Sequence, residues 1–169
     1  GGSIGSEIAR QVAGYSPSKL ILLDFAESAL FEIDRHVREE FPDVHVVPSL
    51  VDVREASDLM AVFEAHSPQM VFHAAAYKHV PLMEQHPTDA VRTNIIGTQN
   101  VVDAAVKHGV AKFVMISTDK AVRPSSIMGA TKRVCELVVA RKGNHTTQFA
   151  SVRFGNVLGS NGSVIPIFE

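Results

Sequence analysis

The sequence predicts an α/β fold built on a doubly wound parallel sheet. Short aliphatic runs of strand length alternate with amphipathic segments of helix length, which is typical of βαβ units joined by right-handed crossovers. The strand-like runs are almost continuously apolar, as expected when helices cover both faces of a parallel sheet. Ligands of such sheets bind beyond the carboxyl ends of the strands, so the residues directly after each strand are the candidate site residues.

The first part of the chain contains two predicted strands and two predicted helices. Residues 19–24 and 44–48 are short aliphatic runs that predict strands. Between them, residues 27–41 place apolar side chains three and four positions apart, which predicts an amphipathic helix. The same spacing predicts a second helix at residues 55–66.

The alternation continues through the rest of the chain. Residues 70–76 predict a buried strand that runs into a loop of small residues. Pro87 suits the first turn of a helix that continues to His108 and ends at Gly109. The last expected elements are a strand at residues 112–117, a helix at residues 127–141 and a strand at residues 147–153.

Composition excludes several classes of protein. The 169 residues are 46 % hydrophobic and 20 % charged, which is globular rather than disordered or collagen-like. Sixteen basic against eighteen acidic residues leave a net charge of −2, so a nucleic-acid partner is not expected. A single cysteine, Cys135, fits a reducing compartment. No apolar run approaches the ~20 residues that span a bilayer, and no histidine pair has the i, i+4 spacing of a metal site.

A glycine turn near the start of the chain predicts a dinucleotide site. The run Gly2-Ser3-Ile4-Gly5 precedes a helical pattern, and glycines let the backbone approach a pyrophosphate that the helix start stabilises. Asp24 ends the next strand, close to the position of the carboxylate that binds the adenosine ribose. An acidic residue there repels a 2′-phosphate, so the pattern favours an NAD(P)-binding Rossmann fold that prefers NAD to NADP. An ordinary loop before a helix is the alternative.

A second polar cluster is expected after the strand at residues 112–117. This strand ends in a succession of polar side chains, Ser117, Thr118, Asp119 and Lys120. Lys132 follows one helical turn after Met128. Hydroxyl, carboxylate and amine groups in succession can form a proton-transfer cluster. A surface loop with ordinary charges is the alternative interpretation.

Six motifs in order resemble one enzyme family. The chain is similar to the nucleotide-sugar 4,6-dehydratases of bacterial polysaccharide biosynthesis, the CapD-like branch of the extended short-chain dehydrogenases, over essentially its whole length. The motifs begin at Gly2, Ala74, Asn94, Ser117, Met128 and Arg153, and read GSIGSE, AAAYKHVPLME, NIIGT, STDKA, MGATK and RFGNVLGS.

The resemblance implies cofactor contacts at particular positions. Gly2 and Gly5 would be two of three fingerprint glycines, Asp24 would bind the adenosine ribose, and Asp52 and Val53 would flank the adenine. The remaining implied cofactor residues are Ser3 and Ile4 in the glycine turn, Ala74, Ala75 and Ala76 near the nicotinamide, Asn94, which would help to order the active site, and Lys132 at the nicotinamide ribose.

The resemblance also implies the catalytic residues and the reaction. Thr118, Asp119 and Lys120 would serve the elimination. Lys120 would act as the base, and Asp119 would act as an acid whose pKa is raised in the closed site. The substrate, UDP-N-acetylglucosamine, would be converted to a 4-keto-6-deoxy sugar. Substrate contacts are implied at Lys78, His79 and Asn156, and no metal is implied.

Two positions depart from the family pattern. Met128 stands where the superfamily has the acid/base tyrosine, and a thioether cannot carry a proton, so Met128 marks a subtype of these dehydratases. Asn161 stands where the family usually has arginine, which would weaken contact with the substrate phosphates. A 4-epimerase and a non-catalytic dinucleotide-sensing module stay open as alternative functions.

The two ends of the chain indicate an internal piece of a longer protein. The sequence opens on Gly1 without methionine and closes within an apolar segment, so residues 1–169 are expected to be one partial Rossmann domain without its first strand and its C-terminal substrate-binding part. In a Rossmann sheet with the strand order 3-2-1-4-5-6 the first strand is central. Without that strand, we expect the strands at residues 19–24 and 70–73 to have unpaired edges and the isolated chain to be unstable. A cytoplasmic location is expected, at the membrane face if membrane helices precede this region. The oligomeric state stays open.

Overall fold

The computed structural model describes residues 1–141 and 146–157. Within them the chain forms two compact units. The first unit consists of Gly1–Asp52 together with residues 156 and 157, and the second unit consists of Val53–Gly155. No helix in the described part of the chain is both long and apolar enough to cross a bilayer.

The first unit contains two helices and a two-stranded parallel sheet. Strands β1 (Leu20–Asp24) and β2 (Val46–Leu50) pair with Leu20 opposite Val46 and Asp24 opposite Leu50. Apolar side chains of helices α1 (Ser3–Ala13) and α2 (Glu27–Glu40) form its core together with side chains of the two strands and of Val44. The core residues are Ala9, Ala13, Leu22, Leu30, Ile33, Val37, Val44 and Val46.

Strand β2 begins two residues later than the sequence predicts. Val44 is buried in the core, but its N–H donates to the Phe41 carbonyl in a turn. Pairing with β1 begins only at Val46. The aliphatic character of residues 44–48 therefore reflects the burial of Val44 in the core, although Val44 is not part of the strand.

The second unit is a three-stranded parallel sheet in the order β3-β4-β5. Its strands are β3 (Met70–His73), β4 (Lys112–Thr118) and β5 (Gln148–Phe154). Met70 lies opposite Lys112, and Lys112 lies opposite Gln148. The helical segments are α3 (Ala56–His66), α4 (Val80–Gln85), α5 (Pro87–Ala90), a π-helical turn (Val91–Ile96), α6 (Gly97–Lys107), a 3₁₀ turn (Asp119–Ala121) and α7 (Ile127–Arg141).

The helix that the sequence predicts from Pro87 to His108 is interrupted by the π-helical turn. Its predicted end is confirmed, since Gly109 adopts φ 65°, which stops the helix. Helix α4 was not predicted, because Val80–Gln85 is too short to show helical periodicity. The segment at Val91–Ile96 keeps the apolar spacing of an α-helix, so its π geometry follows from packing rather than from the sequence pattern.

Strand β3 differs from the prediction in both length and burial. It ends at His73, three residues before the expected end at Ala76. Met70 is 47 % exposed and Phe72 is 39 % exposed, so one face of β3 is not covered by described residues. Within the described chain, β1 pairs only with β2, and β3 pairs only with β4. Strands β1 and β3 therefore each have one edge without a described partner. The instability expected from such edges stays a prediction.

Candidate active site

The glycine turn and Asp24 lie together in the first unit. The Gly1 nitrogen is 2.6 Å from Oδ2 of Asp24, and Oδ1 accepts the N–H of Ala26 at the start of α2. Gly2 is the N-cap of α1. The carboxylate at the end of β1 therefore lies beside the start of α1, as the sequence predicts.

The steric requirement for glycine lies at a position that the sequence analysis did not single out. A Cβ atom at Gly1 would collide with Ala29, whereas a Cβ at Gly2 would meet nothing within 4 Å. Gly2 is exposed, and Ser3, Ile4 and Gly5 are half-buried at the beginning of α1. The close approach of backbone to backbone is at Gly1, and the surface at Gly2 is open to a ligand.

Helix α6 holds the backbone at Val53, one of the two residues that the resemblance places at the adenine. Nδ2 of Asn100 donates to the carbonyls of Val53 (2.9 Å) and Arg54 (3.2 Å). A Cβ at Gly97 would lie 2.7 Å from Cγ2 of Val53, so only glycine allows this packing. Asp52 is half-buried and belongs to the first unit.

Asn94 is buried in the π-helical turn and orders the loop that follows β3. Its Oδ1 accepts the Tyr77 N–H (2.8 Å), and its Nδ2 donates to the Tyr77 carbonyl (3.1 Å) and to Oγ1 of Thr131 (2.9 Å). Both amide hydrogens are thus used by the protein. The resemblance implies that Asn94 helps to order the active site, and these contacts agree with that role, while a contact between Asn94 and the cofactor stays a prediction. Helical turns of the π type often occur at such sites.

The loop ordered by Asn94 carries the remaining residues predicted after β3. Ala74 and Ala76 are half-buried and Ala75 is exposed. Lys78 and His79 are also exposed, ahead of α4. The loop therefore presents small side chains first and polar side chains next.

His73, at the end of β3, is a buried polar residue that the sequence analysis did not identify. Its Nε2 lies 2.9 Å from Oγ1 of Thr98. Burial, helped by the charge of Lys132, lowers the pKa of His73 from 6.5 to about 3. The imidazole is therefore neutral at pH 7, and a histidine followed by small residues at a strand end is the signal that could have found it.

Thr118, Asp119 and Lys120 form a compact polar turn at the carboxyl end of β4. Oγ1 of Thr118 donates to Oδ1 of Asp119 (2.9 Å) and accepts the Lys120 N–H, while Nζ of Lys120 lies 3.2 Å from the same Oδ1. The hydrogen bonds from Thr118 and Lys120 lower the pKa of Asp119. This direction is opposite to the raised pKa expected for an acid, because the carboxylate is 58 % exposed and is bonded as an anion.

Met128 and Gly129 bring the first turn of α7 against this polar turn. Met128 is buried with Met83 and Ala90, and Tyr77 packs against the same cluster. A Cβ at Gly129 would lie 2.5 Å from the Lys120 carbonyl oxygen, so glycine is needed for the approach. Oε1 of Glu84 accepts the N–H of Ile127 at the start of α7 (2.7 Å), which is a favourable place for a negative charge.

Lys132 lies on the buried face of α7. Its Nζ donates to the Ile116 carbonyl of β4 (2.8 Å). Burial lowers the pKa of Lys132, and the negative charge of Glu136 opposes that shift. Glu136 is a further buried charged residue that the sequence analysis missed, although its place four residues after Lys132 puts both on one helix face.

Asn156 and Asn161 are the two predicted substrate positions near the end of the chain. Asn156 is exposed and is grouped with the first unit. Asn161, the position of the expected arginine, lies outside the described residues. Among residues 1–141 and 146–157 no group of three or more histidine, cysteine, aspartate or glutamate side chains could hold a metal.

Comparison with known proteins covers the whole chain. The family model for the polysaccharide biosynthesis protein matches residues 1–169. The chain is 50 % identical to the capsular polysaccharide biosynthesis protein CapD of Staphylococcus aureus, covering 100 % of this chain and 29 % of that protein. It is 39 % identical to a UDP-N-acetylglucosamine 4,6-dehydratase (inverting) of Campylobacter jejuni, covering 99 % of this chain and 50 % of that protein.

Two further similarities bear on fold and reaction. The chain is 39 % identical over 154 residues to a UDP-glucose 4-epimerase of Rickettsia canadensis, covering 88 % of this chain and 45 % of that protein. Pen from Bacillus thuringiensis has a solved structure that superposes with a TM-score of 0.87 at 36 % identity, covering 99 % of this chain and 53 % of that one. The predicted Rossmann α/β class is confirmed, and the chain spans half or less of the length of the curated relatives described here.

Proposed function

The chain belongs to the polysaccharide biosynthesis protein family, and on this premise we propose that it is the cofactor-binding and catalytic part of a nucleotide-sugar 4,6-dehydratase. The substrate proposed is UDP-N-acetylglucosamine, which the similar Campylobacter jejuni enzyme is named for. The observation that carries the proposal is the Thr118, Asp119 and Lys120 turn at a strand end, because elimination of water needs both an acid and a base in one place.

NAD is the cofactor proposed, and the first unit fits it. The open surface at Gly2, the start of α1 and the Asp24 carboxylate offer a pyrophosphate site and an acceptor for ribose hydroxyls. When bound, NAD would accept a hydride from C4 of the sugar and return it to C6. Lys132 is proposed at the nicotinamide ribose, where a buried ammonium is a fixed donor.

The resting contact between Asp119 and Lys120 suggests how the acid and the base arise together. Nζ of Lys120 lies 3.2 Å from Oδ1 of Asp119, and both side chains are exposed to water, so the two groups form an ion pair of an ammonium and a carboxylate. When substrate covers the turn, the loss of water disfavours both charges. Transfer of one proton from Nζ of Lys120 to the Asp119 carboxylate then leaves a neutral amine, which can remove the C5 proton, and a carboxylic acid, which can protonate the departing C6 hydroxyl.

The function is tested by following the sugar with proton NMR in the intact protein supplied with UDP-N-acetylglucosamine and NAD. A new C6 methyl signal is the expected result. An inverted C4 without a methyl signal would instead assign the 4-epimerase activity that the Rickettsia similarity makes the second candidate. No change in the sugar would contradict both enzymes and favour a dinucleotide-sensing module, to which the thioether at Met128 lends support.

The proton-transfer roles are tested by two substitutions that should fail at different steps. Lys120→Met should abolish entry of solvent deuterium at C5 while some NADH absorbance still forms. Asp119→Asn should keep some C5 exchange and lose most of the C6 elimination. Lys112→Met, at the opposite end of β4 and exposed, is the matched control and should behave as the unmodified protein. Normal deuterium entry in Lys120→Met would show that another residue is the base.

The cofactor proposal is tested by calorimetric titration of the intact protein with NAD and NADP. NAD should bind more tightly, and Asp24→Ala should narrow the difference, because it removes a hydrogen-bond acceptor and the repulsion of a 2′-phosphate. Asp43→Ala, an exposed carboxylate of the same unit, should leave the ratio unchanged. Tighter binding of NADP by the unmodified protein would contradict the proposal.

A further inference from the structure

The carboxylate of Glu136 lies at the meeting point of α7, β4 and β5. Oε1 accepts Oγ–H of Ser117 (2.6 Å) and Nε–H of Arg153 (2.7 Å), and Oε2 accepts from Arg153 (2.6 Å) and Arg133 (2.9 Å). The side chain is only 7 % exposed. Four hydrogen bonds, three of them from guanidinium groups, lower the pKa of Glu136 to about 2, with Arg153 the largest cause, so the group is a carboxylate.

These contacts join the strand ends that carry the candidate site. Ser117 and Arg153 are direct partners across the β4–β5 pairing. Ser117 is also the residue immediately before Thr118, so its hydroxyl is one peptide away from the polar turn. A carboxylate that binds both partners from α7 therefore fixes the point from which the turn departs.

The same helix face carries Lys132 one turn earlier. Lys132 donates to the carbonyl of Ile116 and Glu136 accepts from the hydroxyl of Ser117. Two oppositely charged side chains of α7 thus bond consecutive residues of β4. Glu136 lies one helical turn after Lys132, and its negative charge favours the protonated form of Lys132, whose pKa is lowered by burial.

We propose that Glu136 is a positioning residue of the candidate active site, which aligns the Thr118, Asp119 and Lys120 turn through Ser117 and Arg153, and that its negative charge favours the protonated form of Lys132. The inference rests on the proposed dehydratase function. It adds a residue that touches neither substrate nor cofactor and that acts by geometry and by charge. The two effects are separable by substitution.

The charge effect is tested by NMR titration of the lysine side chains in isotopically labelled intact protein, with Lys132→Met used to assign the Lys132 signal. Glu136→Gln should lower the Lys132 midpoint by about one pH unit, and the alkaline limb of the kcat/KM profile should move with it. Glu136→Asp, which keeps the charge, should restore the midpoint. Arg133→Gln is the control, since it removes a partner of Glu136 that is 44 % exposed and leaves the carboxylate in place, so the Lys132 midpoint should not fall.

The positioning effect is tested by Ser117→Ala, a small change that keeps every charge. It should lower kcat about tenfold and leave KM and the Lys132 midpoint unchanged. A kcat within twofold of the unmodified value would overturn the positioning role, and an unchanged Lys132 midpoint in Glu136→Gln would overturn the charge role.

These outcomes are distinct from failure of the proposed function. If the unmodified protein forms no C6 methyl signal from UDP-N-acetylglucosamine, the dehydratase proposal fails, and the kcat and kcat/KM measurements lose their basis. The lysine titration needs no turnover and still decides whether Glu136 sets the protonation of Lys132. If Glu136→Gln does not fold, Glu136→Asp and Ser117→Ala carry the test.

Discussion

The two units of the chain are stabilised in different ways. The first unit has an apolar core under exposed ion pairs, such as those of Arg10 with Glu7 and Glu40 and of Arg35 with Glu39. Every buried polar or charged side chain in the described part of the chain belongs to the second unit. These are His73, Thr93, Asn94, Thr98, Ser117, Thr131, Lys132, Glu136 and Thr147.

This difference matters because the two kinds of polar contact have different energetic weight. An exposed ion pair competes with water and salt and contributes little. A buried polar group costs more when it loses its partner than the bond contributes when made. The second unit therefore places its polar groups where a small change has a large effect, which suits residues that must hold a reacting turn in place. The first unit needs only to present an open glycine turn and a carboxylate.

The largest effect is expected from Asn94→Leu in the second unit. The substitution removes three hydrogen bonds and leaves the Tyr77 N–H and carbonyl without their partner. The free energy of unfolding, measured by chemical denaturation, should fall by about 4 kcal/mol. Arg10→Gln, which removes the exposed pairs of the first unit, is the matched control, and its unfolding midpoint should barely move. Equal effects of the two substitutions would refute the contrast between the units.

A smaller effect is expected from a methyl group at the contact between α7 and the polar turn. Gly129→Ala places a Cβ against the Lys120 carbonyl, a backbone atom that cannot move without disturbing the turn. We expect a loss of about 3 kcal/mol in stability. Gly2→Ala meets open space and should change stability by no more than about 0.5 kcal/mol in the absence of cofactor. A tolerated Gly129→Ala would mean that the turn and α7 can separate.

The smallest of the three effects is a pH dependence that originates at His73. The unfolded chain binds a proton at this histidine below pH 6.5, whereas the folded chain does so only near pH 3. The stabilising contribution is therefore complete above pH 6.5 and is lost as the pH falls towards 3. Between pH 7.5 and pH 5 the free energy of unfolding should fall by about 2 kcal/mol from this group.

Two variants isolate the contribution of His73. His73→Gln should remove that part of the pH dependence, while His36→Gln, on an exposed side chain of the first unit, should retain it. The chosen pH window lies mostly above the range in which carboxylates titrate. The same slope in His73→Gln would place the titrating group elsewhere.

Much of the architecture follows from the sequence because it depends on local pattern. The apolar spacing predicts helix α7 over residues 127–141, and the observed bounds are Ile127–Arg141. Parallel pairing follows from the alternation of strands and helices, and the placement of Asp24 beside the glycine turn follows from both lying at the end or start of adjacent elements. The polar turn at Thr118 could be identified because its residues are consecutive.

Other features depend on residues that are far apart in the chain, and only the tertiary structure decided them. Glu136 meets Ser117 and Arg153 across 19 and 17 positions, and Asn94 meets Thr131 across 37. No local sequence pattern predicts such contacts, because an isolated glutamate or asparagine in a helical segment is expected to be exposed to solvent.

The pKa of Asp119 shows the same division. The sequence identified the acidic residue next to Lys120, but the direction of its pKa shift depends on exposure and on the Thr118 hydrogen bond. Composition and spacing determined which chemical groups this chain possesses and roughly where they lie along it. Burial and hydrogen bonding, which arise only when distant segments pack, decided which of those groups are charged and which are held in place.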